Sequence, residues 1–308
     1  MTRKSGLIPL CLLTYCAATN LLAQQLPVPQ AIVNENPVRI SDHVWALMGW
    51  PNIGIVVGNR ATLVVDTGLG PRNGETIMRV VRKLAPNNQR IYLTTTHYHA
   101  EHTSGEAGFP PGAIIVRNAV QQQQMNEDGR AMIERFAKIT PLWSELLANV
   151  PLRDPDITFD SEASLDLGGI TARLFWFGGA HTMGDELTFI QPDRTLISGD
   201  VVQNKFFPLI NANGGTPATW LAVLDKISAL NVLHVLPDHS DPGDGSLVVA
   251  EKKFIGELRS AALELKKAGV SAEDAGKKLG PEFKNKYPDY PNLNDNNVTN
   301  FVKRTYGE

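Results

Sequence analysis

Residues 94–105 read TTTHYHAEHTSG and bring His97, His99 and His102 within six positions, with Glu101 between the last two. The whole chain has seven histidines, so the concentration of three in one segment indicates a shared role. In an extended segment, His97 and His99 point to the same side because side chains alternate with a period of two. The pair can therefore hold one metal ion. If the chain then turns into a helix, Glu101 and His102 face a neighbouring position and can hold a second ion.

The cluster follows a predicted buried strand, residues 89–96, and ligands in α/β proteins gather beyond strand ends. Runs of β-branched residues between Gly, Asn and Pro breaks predict further strands, at residues 43–50, 52–59, 61–68, 112–118 and 231–245, with hairpin-like pairs in 164–181 and 184–200. Apolar spacing predicts helices, at residues 74–86, 119–149 and 249–267, before a polar last segment. The strands form two groups with helices between them. This pattern predicts an α/β protein with two mixed sheets sandwiched by helices rather than one parallel sheet.

Three other predicted strand ends carry ligand-type side chains, namely His181, Asp200 and His239. His181 can complete the first ion's ligands and His239 the second's, while the short carboxylate of Asp200 can bridge both. Imidazole and carboxylate without thiolate suit zinc, with iron and manganese as alternatives. Two ions about 3.5–4 Å apart can hold a bridging hydroxide as nucleophile. Taken singly, His181 and His239 are more typical of ordinary loop histidines and Asp200 of a turn residue, but four such segments together favour a metal site.

The ordered set resembles the metallo-β-lactamase-fold hydrolases. The similarity covers about residues 38–243 and runs through DTG at Asp66, HYHAEH at 97–102, GGAHTMGD around His181, SGD at Asp200 and a histidine after a strand at His239. It implies an αββα sandwich of two mixed β-sheets flanked by helices, with a dinuclear metal cleft at one edge and hydrolysis by a metal-bound hydroxide. It also implies a first site of His97, His99 and His181 and a second of Glu101, His102 and His239, bridged by Asp200. For Asp66 we favour a structural role behind the ligands.

Two departures from the family pattern concern the second site. The family motif HxHxDH has Asp where this chain has Glu101, which keeps the charge and reaches one methylene farther. Glu101 then ligates the second ion from a shifted backbone, acts as general base to the nucleophilic water, or leaves the second site weak and the enzyme with one metal. His239 lies in PDHSDPG rather than in the Gly-flanked loop of the family.

The residue at position 200 bears on the substrate. The zinc β-lactamases of this family have Cys or Ser where this chain has Asp200, and a bridging Asp resembles the glyoxalase II, lactonase, sulfatase and phosphodiesterase branches. We therefore predict a zinc hydrolase of an ester, lactone, thioester or related bond in a small molecule. A genuine β-lactamase is the alternative. A further alternative is a non-catalytic metal-binding protein in which Glu101 has disabled the second site.

Two segments are candidates for the substrate rim. In NKFFPLINANGG, Lys205 is predicted to meet a carboxylate or other anion, with Phe206 and Phe207 as an apolar wall, the alternative for Lys205 being a solvated loop charge. The helical stretch 119–149 is predicted to overhang the cleft. Its large apolar side chains are favoured as core residues, with a lining role as the alternative; these are Met125, Met132, Phe136 and Trp143.

The N-terminus predicts export. Arg3 and Lys4 precede a short apolar run that ends in small residues before Gln24, which is the layout of a secretory signal peptide over residues 1–23, with an uncleaved anchor as the alternative. Both cysteines lie inside it, so residues 24–308 have no thiolate and no disulfide. We expect these residues to form one domain, secreted or periplasmic, without stable membrane association. The net charge of −3 and the absence of a basic run disfavour a nucleic-acid partner.

Overall fold

The computed structural model describes residues 30–87 and 90–308. The predicted signal peptide, residues 1–23, lies outside the described residues, as do both cysteines. No helix of the described ranges combines the length and the apolar character that crossing a bilayer requires.

The first sheet of the described chain is mixed, and its strands lie side by side in chain order. These strands are β1 (Val38–Arg39), β2 (Val44–Leu47), β3 (Ile53–Val57), β4 (Ala61–Val65), β5 (Arg90–Thr94), β6 (Ile114–Asn118) and β7 (Ile157–Phe159). The pairs from β1 to β4 are antiparallel, and those from β4 to β7 are parallel. The parallel half therefore has its strand C-termini at a single edge of the sheet.

The second sheet is also mixed and runs in the order β13-β12-β11-β10-β9-β8. Its strands are β8 (Glu162–Asp166), β9 (Thr171–Phe175), β10 (Leu187–Gln191), β11 (Thr195–Gly199), β12 (His234–Pro237) and β13 (Gly243–Asp244). Only the β11–β12 pair is parallel among these described strands. Strands β11 and β12 consequently end next to each other, where Asp200 and His239 follow them.

Helices cover both outer faces of the two sheets. They are α1 (Gly70–Leu84), α2 (Ala100–Thr103), α3 (Ala119–Ala137), α4 (Pro141–Leu146), α5 (Pro217–Ser228), α6 (Ser246–Lys267), α7 (Ala272–Lys286) and α8 (Asp295–Tyr306). Apolar residues of the two sheets meet in a shared core, while α1 packs on the first sheet and α5 to α8 on the second. The expected αββα sandwich is thus confirmed.

Apart from shifts of a few residues at helix ends, such as the start of α1 at Gly70, the helices differ from the prediction in two places. The stretch 119–149 is two helices: α3 ends at Ala137, and Thr140 caps α4 by accepting a hydrogen bond at Oγ1 from Trp143 N, 3.1 Å away, with Pro141 in the first turn. The segment after Lys267, expected only to be polar, forms α7 and α8. Their few apolar side chains, among them Phe283 and Phe301, are buried in the core beside the second sheet.

Candidate metal centre

Three histidine nitrogens converge beyond the end of β5. His97 Nε2 lies 2.9 Å from His99 Nδ1, and His181 Nε2 lies 3.4 Å from the same atom. Each of the three residues offers one nitrogen, and these three nitrogens all lie within 4.8 Å of one another. His99 can present Nδ1 because it stays extended and α2 begins only at the next residue. We call His97, His99 and His181 the first ligand set.

The loop that carries His181 is held by a buried carboxylate. Asp185 accepts hydrogen bonds from the main-chain N–H of Ala180 and Thr182, both at 3.0 Å, and from Thr182 Oγ1 at 2.6 Å. His181 Nδ1 lies 2.6 Å from the carbonyl oxygen of Leu209, and only a protonated Nδ1 can donate to that oxygen. The tautomer therefore leaves Nε2 free to bind a metal.

The first two histidines are held in their neutral form. Burial lowers the pKa of His97 well below its ordinary value, and the positive charge of neighbouring His102 lowers it further. Burial does the same for His99, and the neighbouring histidines lower the pKa of His99 further, His181 most. A neutral imidazole has the free lone pair that a metal needs, so this set is prepared for binding.

We call Glu101, His102 and His239, the residues predicted for the second ion, the second ligand set. Glu101 Oε1 lies 3.5 Å from His102 Nε2 and 4.0 Å from His239 Nε2, and it also lies 4.0 Å from His99 Nδ1 in the first set. Three buried atoms of this set have no hydrogen-bond partner, namely Glu101 Oε2, His102 Nε2 and His239 Nδ1. Buried polar atoms without partners are rare and costly, and a cation bound by Glu101 and His102 would satisfy the first two.

A pair of fully buried carboxylates stands behind His102. His102 Nδ1 lies 3.2 Å from Asp66 Oδ2 and 3.4 Å from Asp238 Oδ2, and Thr96 donates to both acids, from N to Asp66 Oδ1 and from Oγ1 to Asp238 Oδ2, each at 2.8 Å. Burial opposes the charged form of His102, but Asp66 and Glu101 outweigh it and hold the pKa of His102 well above its ordinary value. Asp66 therefore lies where a supporting residue was expected.

Asp200 lies between the two sets. Its Oδ2 is 3.3 Å from His181 Nε2, and its Oδ1 is 3.4 Å from His239 Nε2. One carboxylate oxygen thus faces each set, which is the arrangement that a bridging ligand requires. Together the donors are imidazoles and carboxylates, a mixture that suits a divalent transition metal.

The predicted substrate residues lie at different distances from this centre. Lys205 is 62% exposed and pairs with Asp289, with Nζ 3.1 Å from Oδ2. Phe206 contacts the edge of Trp50, at 6.3 Å between ring centroids, and Trp50 stacks on His239 at 3.7 Å. Phe207 is buried in the core and gives the rim no wall.

Two cavities border residues of the ligand sets. One of 610 Å³ touches His99 and is lined by Tyr98, Asp128, Met132, Arg135, Phe136 and residues 211–213. The other, of 290 Å³, touches His239 and is lined by Met48, Trp50 and Asp241 among others. Of the large apolar residues in stretch 119–149, Met132 and Phe136 thus line a cavity, whereas Met125 and Trp143 are buried in the core.

Sequence reasoning missed three supporting residues of this centre. Asp238 directly precedes the predicted ligand His239, in the segment PDHS that departs from the family pattern. An acid next to a ligand was the pattern that could have identified it. Asp185 follows Thr182 at the spacing of a capping loop. Gln203 is three residues after Asp200 and had no recognisable signal, because its other partners, Ser240 and His239, lie on another loop.

A model of the metallo-beta-lactamase superfamily matches residues 49–239. A linear primary-alkylsulfatase from Pseudomonas sp. (strain ATCC 19151) is 22% identical over 220 residues, which are 61% of this chain and 41% of that protein. A metallo-beta-lactamase type 2 from Bacteroides fragilis is 21% identical over 253 residues, 74% of this chain and 92% of that protein. This chain therefore spans less than half of the alkylsulfatase and most of the lactamase.

Solved structures agree on the fold. A metallo-beta-lactamase from Pontibacter korlensis superposes with a TM-score of 0.59 at 18% identity, over 72% of this chain and 98% of that one. A double mutant of the sec-alkyl sulfatase PisA1 gives a TM-score of 0.65 at 13% identity, over 79% of this chain and 45% of that one. At such identities the likeness establishes the architecture alone.

Proposed function

The chain belongs to the metallo-beta-lactamase superfamily and is a metal-dependent hydrolase, and from that premise we propose that it cleaves an ester, lactone, thioester or related bond at a dinuclear zinc centre. The observation that carries the second metal is the position of Asp200. Its two oxygens face His181 and His239 separately, so each ligand set has a carboxylate oxygen available.

Glu101 supports the same conclusion. Of the three roles open to it, ligation is favoured because its Oε1 lies 3.5 Å from a nitrogen of His102 that has no hydrogen-bond partner. A buried carboxylate is unfavourable unless a cation compensates it. Two alternatives therefore stay open, a general-base role for Glu101 and an enzyme with one metal ion. The number of metal ions bound per chain must separate them from ligation.

The residues divide the chemical work between them. Metal ions in the two sets would supply Lewis acidity and lower the pKa of a water molecule. Asp200 would hold the two sets at a fixed spacing, and Asp66 would keep the proton of His102 on Nδ1, so that Nε2 faces the metal. Trp50, stacked on His239, presents an apolar surface to the substrate next to the second set. Zinc is favoured over iron or manganese because three of the ligands in the first set are imidazoles.

A sulfate-ester or carboxylic-ester substrate is favoured over a β-lactam. Asp200 occupies the position where the zinc β-lactamases of the family have Cys or Ser. Lys205, the predicted partner for a substrate anion, is paired with Asp289 at the surface. The alkylsulfatase relative supports the ester class, although this chain spans only 41% of it. β-Lactam hydrolysis stays the second candidate because the Bacteroides fragilis relative is matched over 92% of its length.

The deciding experiment is metal content per purified chain, paired with a panel of β-lactam, lactone, thioester, phosphodiester and sulfate-ester substrates. We expect two zinc equivalents and turnover of one ester class. Asp200→Ala should abolish turnover, whereas Asp160→Ala, at an exposed loop position, should leave it unchanged. An active Asp200→Ala variant would contradict the bridging role. One equivalent without turnover of any substrate would contradict the dinuclear hydrolase.

Export is a separate proposal, supported by the layout of residues 1–23 described above. Expression of the full chain followed by N-terminal sequencing of the accumulated product tests it. A product that begins at about residue 24 in the periplasmic or extracellular fraction is expected. A product that retains the apolar run in the membrane fraction would favour the uncleaved anchor.

A further inference from the structure

Gln203 connects the loops that carry Asp200 and His239. Its side chain is buried, with the residue 3% exposed, and its Nε2 donates to Asp200 Oδ1 at 2.7 Å. Its Oε1 accepts from Ser240 Oγ at 2.7 Å and from the main-chain N–H of His239 at 3.4 Å. One amide therefore touches the bridging carboxylate and the loop of a second-set ligand.

The orientation of this amide is fixed by chemistry. An ionised carboxylate can only accept hydrogen bonds, so the amide nitrogen must face Asp200 and the amide oxygen must face Ser240. Ser240 Oγ in turn accepts from the main-chain N–H of Asn204 at 2.8 Å. The result is a directional chain of donors that runs from Asn204 through Ser240 and Gln203 to Asp200. Each bond in such a chain polarises the next.

Further contacts anchor both ends of the chain. The carboxyl group of Glu251, buried on α6, lies beside the main chain of Gln203. On the other loop, Asn52 Nδ2 donates to the carbonyl oxygens of Pro237 and Ser240, at 2.8 and 2.9 Å. Neither loop can shift relative to the other without breaking buried hydrogen bonds.

We propose that Gln203 is a positioning residue that controls metal affinity at the second ligand set. It fixes the carboxylate of Asp200 so that Oδ1 stays 3.4 Å from His239 Nε2, and it fixes the His239 loop at the same time. The first set does not depend on this bond, because His97 and His99 follow β5 and Oδ2 faces His181 without contact to the amide. The inference rests on the proposed dinuclear function and extends it to a residue outside both ligand sets.

The test is a Co²⁺ titration of metal-free protein, followed by calorimetry and visible spectra, for the wild type and for Gln203→Leu. Leu keeps a side chain of similar bulk and removes all three side-chain hydrogen bonds of Gln203. We expect the second equivalent to bind about 10- to 100-fold more weakly, as is typical when a residue behind a ligand is lost, with the first equivalent unchanged. Gln123→Leu is the matched control, since Gln123 is exposed on α3 and pairs with Glu127.

Ser240→Ala provides a second variant should Gln203→Leu fail to fold. It removes one end of the chain and keeps the bond to Asp200, so the same selective weakening is expected to a smaller degree. Variants whose melting temperature falls while both equivalents bind as in the wild type would overturn the proposal and leave Gln203 a packing role. A wild-type protein that binds one equivalent would overturn the dinuclear function together with this proposal. If the wild type binds two metal equivalents and Gln203→Leu binds both with the same affinities, this proposal alone is overturned.

Discussion

The two ligand sets lie side by side but differ in their charge. His97 and His99 of the first set have pKa values held well below the ordinary value, chiefly by burial. His102 of the second set is equally buried, yet Asp66 and Glu101 hold its pKa well above the ordinary value. His97 and His99 therefore favour the neutral form, whereas the second set combines the carboxylate of Glu101 with His102, whose charged form is stabilised, and with His239, whose pKa burial lowers.

This difference predicts two modes of metal binding. The first set has the tautomer of His181 fixed by the carbonyl oxygen of Leu209, so we expect geometry to determine its affinity. The second set must release the proton of His102 before Nε2 can bind, and its carboxylates gain most from a positive ion. Affinity at the second set should consequently respond to charge changes that leave the first set unaffected.

Removing one histidine from each set should have the largest effects. His181→Ala is expected to lower turnover roughly a thousandfold, since a lost Lewis acid is worth several kcal/mol, and to lose the first metal equivalent. His239→Ala should lose the second equivalent and have a comparable effect on turnover if both ions act together. His234→Ala, which changes the first residue of β12, is the control. Equal loss of both equivalents in either variant would show that the two sets do not bind independently.

Replacing Glu101 tests whether the second set depends on charge. Glu101→Gln removes the charge at nearly constant size, and we expect loss of the second equivalent with turnover about 100-fold lower, the upper range for metal-site substitutions. Glu101→Asp keeps the charge and restores the family motif, so activity should be preserved or raised. Metal analysis with steady-state kinetics measures both. Complete loss of turnover in Glu101→Asp, with two metals still bound, would instead favour a general base that needs the longer side chain.

The sequence predicted the sandwich and the residues of both ligand sets because each leaves a local pattern. The strands have β-branched runs with clear breaks, and the donor residues stand directly after strand ends. Helices α7 and α8 were missed because single apolar residues such as Phe283 and Phe301 are diluted by polar neighbours. Asp238 and Gln203 were missed because their partners belong to distant segments, and only packing of the loops brings them together. The ligand assignments themselves stay predictions until metal binding is measured.

Asp238→Asn tests the acid that stands behind the second set, whose pKa burial and neighbouring Asp66 raise well above its ordinary value. Loss of this acid should leave His102 Nδ1 paired with Asp66 alone, so Nε2 of His102 becomes a weaker donor and the second equivalent should bind about tenfold more weakly. The first equivalent should bind as before. Calorimetric titration measures both affinities, and Asp225→Asn, an exposed acid paired with Lys252, is the control. An unchanged second affinity would mean that Asp66 suffices and that Asp238 acts only in folding.

A substitution of Glu186 tests the effect of burial on a carboxyl group, apart from the charged cluster of the second set. Of the effects predicted for these variants, this one should be the smallest. Glu186 accepts hydrogen bonds from Thr94 and Asn118, and burial raises its pKa from 4.5 to about 7. The folded state therefore holds a proton that the unfolded state has released, so stability falls as pH rises from about 4.5 to 7. Glu186→Gln mimics the protonated form and should remove this dependence. In urea unfolding, the free energy of unfolding of the wild type should fall by about 1 kcal/mol relative to that of the variant between pH 6 and pH 7. Parallel pH profiles for the two proteins would mean that Glu186 is not protonated in the fold.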